Sequence, residues 1–346
     1  MCNILDIQTY SSVVKHFLSV GIVLFFFNGC HYERECLISG RTMGTTYHIK
    51  YNVGLFFDHQ ALKDTITQTL QEINQSMSTF DTKSEISVFN QQKDTTKKMP
   101  ISAAFYQVMI QAKKLYEITN GAWDGTVKPI VNLWGFGHTD HHQQKPDDIR
   151  IKQCLKQVGF HNIIITDHHL QKKISNLELN LASIAKGFGV DQVAQVLEKY
   201  GIHNYLVEIG GEVFGKGNKI NKAPWRVGIN RPQVDADAHD VYFALSLQDK
   251  AIATSGDYRN YFMDNKKRYS HVIDPKTGRP VNNGIVSVSV VSDQCTFSDG
   301  LATALMVMGP KAGLELVNGL SGTECLMIQE SETGFKLYYS DHFPRK

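Results

Sequence analysis

No block of like charge runs through this chain. Lys and Arg total 36 against 34 Asp and Glu, a formal net charge of +2. There is no basic stripe to neutralise a nucleic-acid backbone, so no nucleic-acid partner is expected. Acidic tails and low-complexity tracts are missing. So is any short repeat of fixed period, which argues against a solenoid or propeller. The six cysteines include no CxxC pair and no zinc-type spacing. Gly215-Lys216-Gly217 lacks the third glycine of a dinucleotide-binding fingerprint, and no βαβ unit surrounds it. No Pro/Gly/Ser-rich linker divides 41–346, so that stretch is expected to form a single domain. At 42% hydrophobic it can fill a sizeable core.

Near the N-terminus the apolar run is too short for a comfortable membrane span. Lys15 and His16 precede residues 17–27, a stretch below the roughly 20 residues a helix needs to cross, but suited to a signal-peptide core. Asn28-Gly29-Cys30 follows. A small residue directly before cysteine resembles the lipobox of bacterial lipoproteins, in which that cysteine is acylated. An uncleaved anchor is the alternative. The favoured expectation is a lipoprotein signal over 1–29, lipidation at Cys30 and a tether over 30–40. The chain would then be exported and lipid-anchored, facing the periplasm or cell exterior. Cys36, Cys154, Cys295 and Cys325 are read as core or incidental residues.

What is present reads as alternating short elements. Tyr47, Ile49, Tyr51 and Val53 alternate with polar residues, a half-buried strand. Leu62, Ile66, Leu70, Ile73 and Met77 recur at helical spacing. A second helix is predicted over 102–118, stopping near Asn120-Gly121. The His-rich stretch 138–145, with His138, His141 and His142, reads as a loop. Leu177, Leu179 and Leu181 predict a strand, and 183–200 a helix ending at Gly201. Strands are predicted over 205–209, 225–229, 243–247, 269–273 and 286–291, with Lys266-Lys267-Arg268 as a solvated hairpin tip. Strands in such quick succession argue for an α+β fold of antiparallel sheets with packed helices.

Four segments carry more chemistry than turns require. Gly121-Ala122-Trp123-Asp124-Gly125-Thr126-Val127, running on to Trp134-Gly135-Phe136-Gly137, concentrates glycines, aromatics and one carboxylate. Leu181-Ala182-Ser183-Ile184-Ala185-Lys186-Gly187 opens a helix, whose first amides suit phosphate. Lys186 there opposes the helix dipole; it either answers a bound anion or is simply solvated. The third segment runs from Ala253 to Tyr261 and resumes at Ser270-His271-Val272-Ile273-Asp274-Pro275-Lys276-Thr277-Gly278. Its Asp-Pro-x-Thr-Gly part is good turn chemistry. In the fourth, Ser298 to Leu305, Asp299 and Thr303 are four apart and face one side of a helix. Two readings fit them: hard oxygen ligands for Mg2+, or a helix cap by Ser298 or Asp299.

Together with Thr42-Met43-Gly44-Thr45, Met77-Ser78-Thr79-Phe80-Asp81 and Glu208-Ile209-Gly210-Gly211-Glu212, these segments resemble, in order, the motifs of the ApbE family of FAD:protein FMN transferases. The resemblance spans about residue 41 to the C-terminus. It implies a fold similar to the tunnelling fold, in a family often exported as lipoproteins. By that resemblance the metal ligands fall on Asp299, Thr303 and the Ser183 carbonyl. FAD contacts fall on Met43, Phe80, Ala122, Trp123, Asp124, Asn180, Lys186 and Ile273, and the general base on His271. Phe80, Gly125 and Asn180 replace a more frequent Tyr, Pro and Asp.

The implied reaction is Mg2+-dependent transfer of FMN from FAD to a threonine or serine hydroxyl, with release of AMP. The implied partners are flavin-accepting subunits of membrane redox complexes. Acceptors carry a D-x-x-[ST]-G-A-[ST]-like motif, which this chain lacks, so it should act in trans. The rivals are an FAD pyrophosphatase, in which water replaces the hydroxyl, and a non-catalytic flavin-binding lipoprotein. The latter would not need Asp299, Thr303 and His271 together.

Overall fold

The computed structural model describes residues 33–137, 145–233, 240–257, 261–264 and 267–344. Its first elements are strand β1 (Glu33–Thr42) and strand β2 (Thr45–Gly54), joined by Met43-Gly44. Both turn residues take positive φ, 49° and 74°. A two-residue hairpin whose twist matches its strands requires this of its central pair. Tyr47, Ile49, Tyr51 and Val53 are buried, as their alternation predicts.

The expected tether over 30–40 needs correcting. From Glu33 onward the chain is already sheet, paired residue by residue with β2. β1 is an edge strand, and within it only Ile38 and Thr42 are buried. Its exposed Glu and Arg side chains therefore read like linker. Residues 1–32, with the expected signal and Cys30, lie outside the described residues, as do His138, His141 and His142.

Helix α1 (His59–Met77) starts under Asp58, whose carboxylate accepts from the Ala61 N–H at 3.0 Å. It buries the predicted apolar stripe from Leu62 to Met77. Ser102 caps helix α2 (Ala103–Ile118) in the same way. Helix α3 (Ala182–Lys199) leads into β3 (Tyr205–Ile209) and β4 (Glu212–Lys216). Then come β5 (Lys250–Gly256), β6 (Ile285–Ser292), helix α4 (Cys295–Asn318), β7 (Glu324–Ser331) and β8 (Gly334–Tyr339).

These eight strands form one sheet in chain order, and every neighbouring pair is antiparallel. The fold is α+β, with helices inserted between strands rather than alternating with them. α3 and α4 lie together against one face, where Ile184, Leu301 and Leu305 join Leu115 of α2 in the main core. A hairpin, Trp225–Asn230 with Val241–Leu247, covers the other face. Its Ile229, Leu245 and Leu247 pack on Val213, Ile252 and Val291. Each such aliphatic side chain stabilises the fold by about 1.5–3 kcal/mol.

Three further expectations differ in detail. Leu177, Leu179 and Leu181 are buried but form no strand. The Asn90 amide replaces a partner strand there, accepting from the Leu179 N–H and donating to its carbonyl. The predicted strand over 269–273 breaks into Lys267–Ser270 and Ile273–Asp274, leaving His271 between them. Arg268 is not a solvated tip: it pairs with Asp257 at 3.0 Å and lies over the Tyr261 ring.

Candidate active site

The site begins where α3 starts. The Asn180 N–H donates to the Gly125 carbonyl at 2.7 Å, and its side-chain oxygen accepts from the Ala182 N–H at 3.0 Å. Asn180 thus ties the glycine-rich segment to the helix and satisfies one of its first amides. Ser183, one residue on, accepts from the Trp123 indole N–H at 3.0 Å. The indole itself is fully buried.

α3 and α4 cross at Gly187. A Cβ there would fall 2.4 Å from the Cys295 carbonyl oxygen and 2.9 Å from Asp299 Cβ, so only glycine allows the approach. The Gly187 N–H donates to Asp299 Oδ2 at 3.0 Å. In a regular helix the acceptor of that N–H is the Ser183 carbonyl, so Asp299 and the Ser183 carbonyl address the same amide. Thr303, one turn along α4, has its hydroxyl 3.0 Å from that of Ser255 on β5. The helix-cap reading of Ser298 and Asp299 is not realised. α4 is capped from outside by Asp191, which accepts from the N–H groups of Cys295 and Thr296 at 2.8 and 2.9 Å.

Lys186 answers the question its position posed. Its ammonium is 2.5 Å from Glu212 Oε1, at the start of β4. Burial opposes a charge there, but Asp299 and Glu212 together hold the ammonium above its ordinary pKa. Burial likewise pushes the Asp299 carboxyl up, with Lys186 and the Gly187 N–H pulling it back. Burial and the charge of Asp299 raise Glu212 against the pull of Lys186. Glu212 Oε2 is buried and has no hydrogen-bond partner among the described residues. Glu212 is not singled out by the local sequence. The available signal was a lone acid directly after Gly210-Gly211, whose φ values of 59° and 99° turn β3 into β4.

The opposite wall comes from the aromatic segment and the Asp-Pro-x-Thr-Gly turn. Asp124 is buried, and its carboxylate accepts from the Thr126 N–H and hydroxyl and from the Phe160 N–H. It braces the wall rather than offering a free charge. The Trp134 indole donates to the Gly278 carbonyl at 2.8 Å, clamping the turn. Asp274 closes that turn by accepting from the Lys276 N–H and the Thr277 hydroxyl. This fixes Ile273 and, before it, His271, whose ring meets the Phe136 ring edge-on.

One cavity of about 380 Å3 is lined by Ala122, Trp123, Asp124, Asn180, Ser183, Lys186, His271, Ile273, Asp299 and Thr303. Glu212, Thr254 and Ser255 line it too. Met43 and Phe80 do not. Met43 packs on α3 where Gly189 leaves room, and Phe80 is largely exposed. Among the described residues no three His, Cys, Asp or Glu side chains are grouped to hold a metal. Asp299 with neutral oxygens from Thr303 and Ser183 is the donor set at hand. Such a set fits Mg2+, which takes one or two carboxylates and fills its shell with water and substrate phosphates.

Known proteins share this sequence and fold. The ApbE family model matches residues 43–327. A Vibrio cholerae protein called FAD:protein FMN transferase is 43% identical over 323 residues, 92% of this chain and 95% of that protein. A Haemophilus influenzae protein of the same name is 37% identical, covering 91% and 93%. The solved structure of the flavin transferase ApbE from V. cholerae superposes with a TM-score of 0.82 at 42% identity, over 90% of this chain and 99% of that one. The apo flavinyl transferase ApbE of Pseudomonas stutzeri gives 0.81 at 31% identity, over 89% and 95%. Shared sequence along nearly the whole chain and a shared fold lead to one conclusion: this chain belongs to the ApbE family.

Proposed function

We propose that the chain is an Mg2+-dependent FAD:protein FMN transferase that moves FMN from FAD to a threonine or serine hydroxyl of another protein. The observation that carries this is the convergence of Asp299, Thr303, Ser183, Lys186 and His271 on one cavity. Asp299, Thr303 and the Ser183 carbonyl would hold the metal. When bound, Mg2+ supplies charge neutralisation on the diphosphate and the departing phosphate.

The remaining work belongs to side chains. Lys186, held by Glu212, presents a cation to the diphosphate. Trp123, Ala122 and Ile273 supply an apolar wall for the flavin or adenine ring. The acceptor hydroxyl oxygen forms a bond to the phosphorus on the FMN side. The bond from that phosphorus to the bridging oxygen breaks, AMP leaves, and the hydroxyl proton passes to His271.

We further propose that Cys30 is acylated and anchors the enzyme at the exported face of the membrane, beside flavin-accepting subunits of redox complexes. The sequence of residues 15–30 supports this reading. The deciding experiment incubates the protein with FAD, Mg2+ and a domain bearing a D-x-x-[ST]-G-A-[ST] segment, then weighs the domain. Transfer adds one FMN per acceptor and releases one AMP. Equal AMP release with and without acceptor, and no added mass, would identify a hydrolase instead.

A further inference from the structure

We propose that the end of the sheet carrying Leu55, Phe56 and Ile220 is a membrane-contacting surface, seated in the headgroup interface of the bilayer. It rests on the reading of Cys30 as the acylated residue.

The strand register separates the two ends of the molecule. Glu33 pairs with Gly54, Tyr51 with Tyr205, and Tyr205 with Lys216. The start of β1, the loop after β2, the turn before β3 and the loop after β4 therefore share one end. At the other end lie Thr42 and Thr45, the Ile209–Glu212 turn and, through Glu212, the cavity. Ten-residue strands at about 3.4 Å per residue hold the ends roughly 30 Å apart.

The chain enters at the first of these ends. Cys30 precedes Glu33 by three positions, a reach of about 10 Å even when fully extended. An acylated Cys30 would hold this end against the bilayer with little freedom to turn away.

The side chains exposed there suit such a neighbour. Phe56 is 101% exposed and Leu55 53%, consecutive and directly after Gly54. Phe57, by contrast, packs against Tyr51, His59 and Tyr200, which fixes the base of the protrusion. Alongside, the Asn52 amide donates to the Asn218 carbonyl at 3.2 Å and brings in the loop after β4. That loop is closed by hydrogen bonds from Lys219 N–H to the Ala223 carbonyl and from Lys222 N–H to the Lys219 carbonyl. Ile220 stands exposed on it beside Lys222. Of the acids at this end, Asp58 caps α1, Asp249 accepts from the Gly217 N–H, and Glu198 and Asp293 pair with Lys216 and Lys250; Glu33 and Glu35 remain exposed. Aromatic and aliphatic tips flanked by lysine are the composition favoured at the headgroup level.

The test uses the full acylated chain in phosphatidylcholine–phosphatidylglycerol vesicles with brominated acyl chains. Trp123, Trp134 and Trp225 are each 1% exposed, so their emission is shielded from lipid. Phe56→Trp adds a reporter at the proposed surface, and Phe80→Trp an exposed reporter elsewhere. The Trp added at 56 should lose about half its emission or more, as expected of a ring at the headgroup–acyl boundary, and the one added at 80 should not. Vesicle flotation without quenching at 56, or equal quenching at both, overturns the surface and leaves the anchor standing. Failure of the acylation-competent chain to float overturns the anchor and, with it, this proposal.

Discussion

Asp191 and Thr296 join the two helices that build the site. One carboxylate oxygen of Asp191, on α3, accepts both the Thr296 N–H at 2.9 Å and its hydroxyl at 2.5 Å. The other accepts from the Cys295 N–H. α4 has no cap of its own, since the side chain of Gln294 makes none. A residue over 100 positions upstream therefore sets where α4 begins, and so where Asp299 stands.

Asp191→Ala should lower stability by about 2 kcal/mol, the loss of a helix cap plus buried donors left unpaired. Asp191→Asn, which keeps one acceptor oxygen, should lose less. Denaturant titration of both variants checks this; a loss of a few tenths for Asp191→Ala would show that the cap contributes nothing.

Asp299→Ala should cost about 10²–10³ in turnover, comparable to removing one strong electrostatic stabiliser. Folding should persist, because burial already disfavours the charged carboxylate. Asp299→Asn keeps an acceptor for the Gly187 N–H and should be as slow, separating charge from packing. Wild-type rates in either variant, measured with and without EDTA, remove Asp299 from the metal set.

His271→Ala should slow transfer by about 10²–10⁴-fold while FAD affinity barely changes. Single-turnover kinetics and FAD titration read the two quantities apart. A loss of FAD affinity that accounts for the whole effect would make His271 a binding residue.

Lys172 gives a pH signature far from the cavity. It is buried over the Phe89 ring and donates to the carbonyls of Asn90 and Gln92. Burial, helped by Lys93, pulls its ammonium down to about 8 from an ordinary 10.5. Between those values the unfolded chain holds more protons than the folded one, so this residue's contribution to stability rises with pH. Below pH 8 the cost of burying the charge is present in full. The stability of wild type relative to Lys172→Met should therefore increase from pH 7 to pH 10. A difference that stays flat across that range contradicts the shift.

Much of the site was legible because its residues lie in dense local motifs. Ser183, Lys186, His271, Asp299 and Thr303 all meet at the cavity. What escaped was long-range. β1 hid behind exposed charged side chains because an edge strand buries little. Leu177 to Leu181 alternated like a strand, but the Asn90 amide satisfied the backbone instead. Asp191 and Glu212 act across helix and sheet, on partners that no window of local sequence contains. Periodicity reports which face of an element is buried and is silent on which distant group completes it.

The order of the strands along the chain also sets a schedule. Trp123 and Ser183 are synthesised well before Asp299 and Thr303, and translation of the intervening stretch takes on the order of ten seconds. Until α4 emerges, Gly187 has no helix to cross and Asp191 no amides to hold. A nascent or prematurely ended chain thus carries the Trp123 and Ser183 side of the cavity and none of its α4 residues. The cavity is completed late, with the last helix.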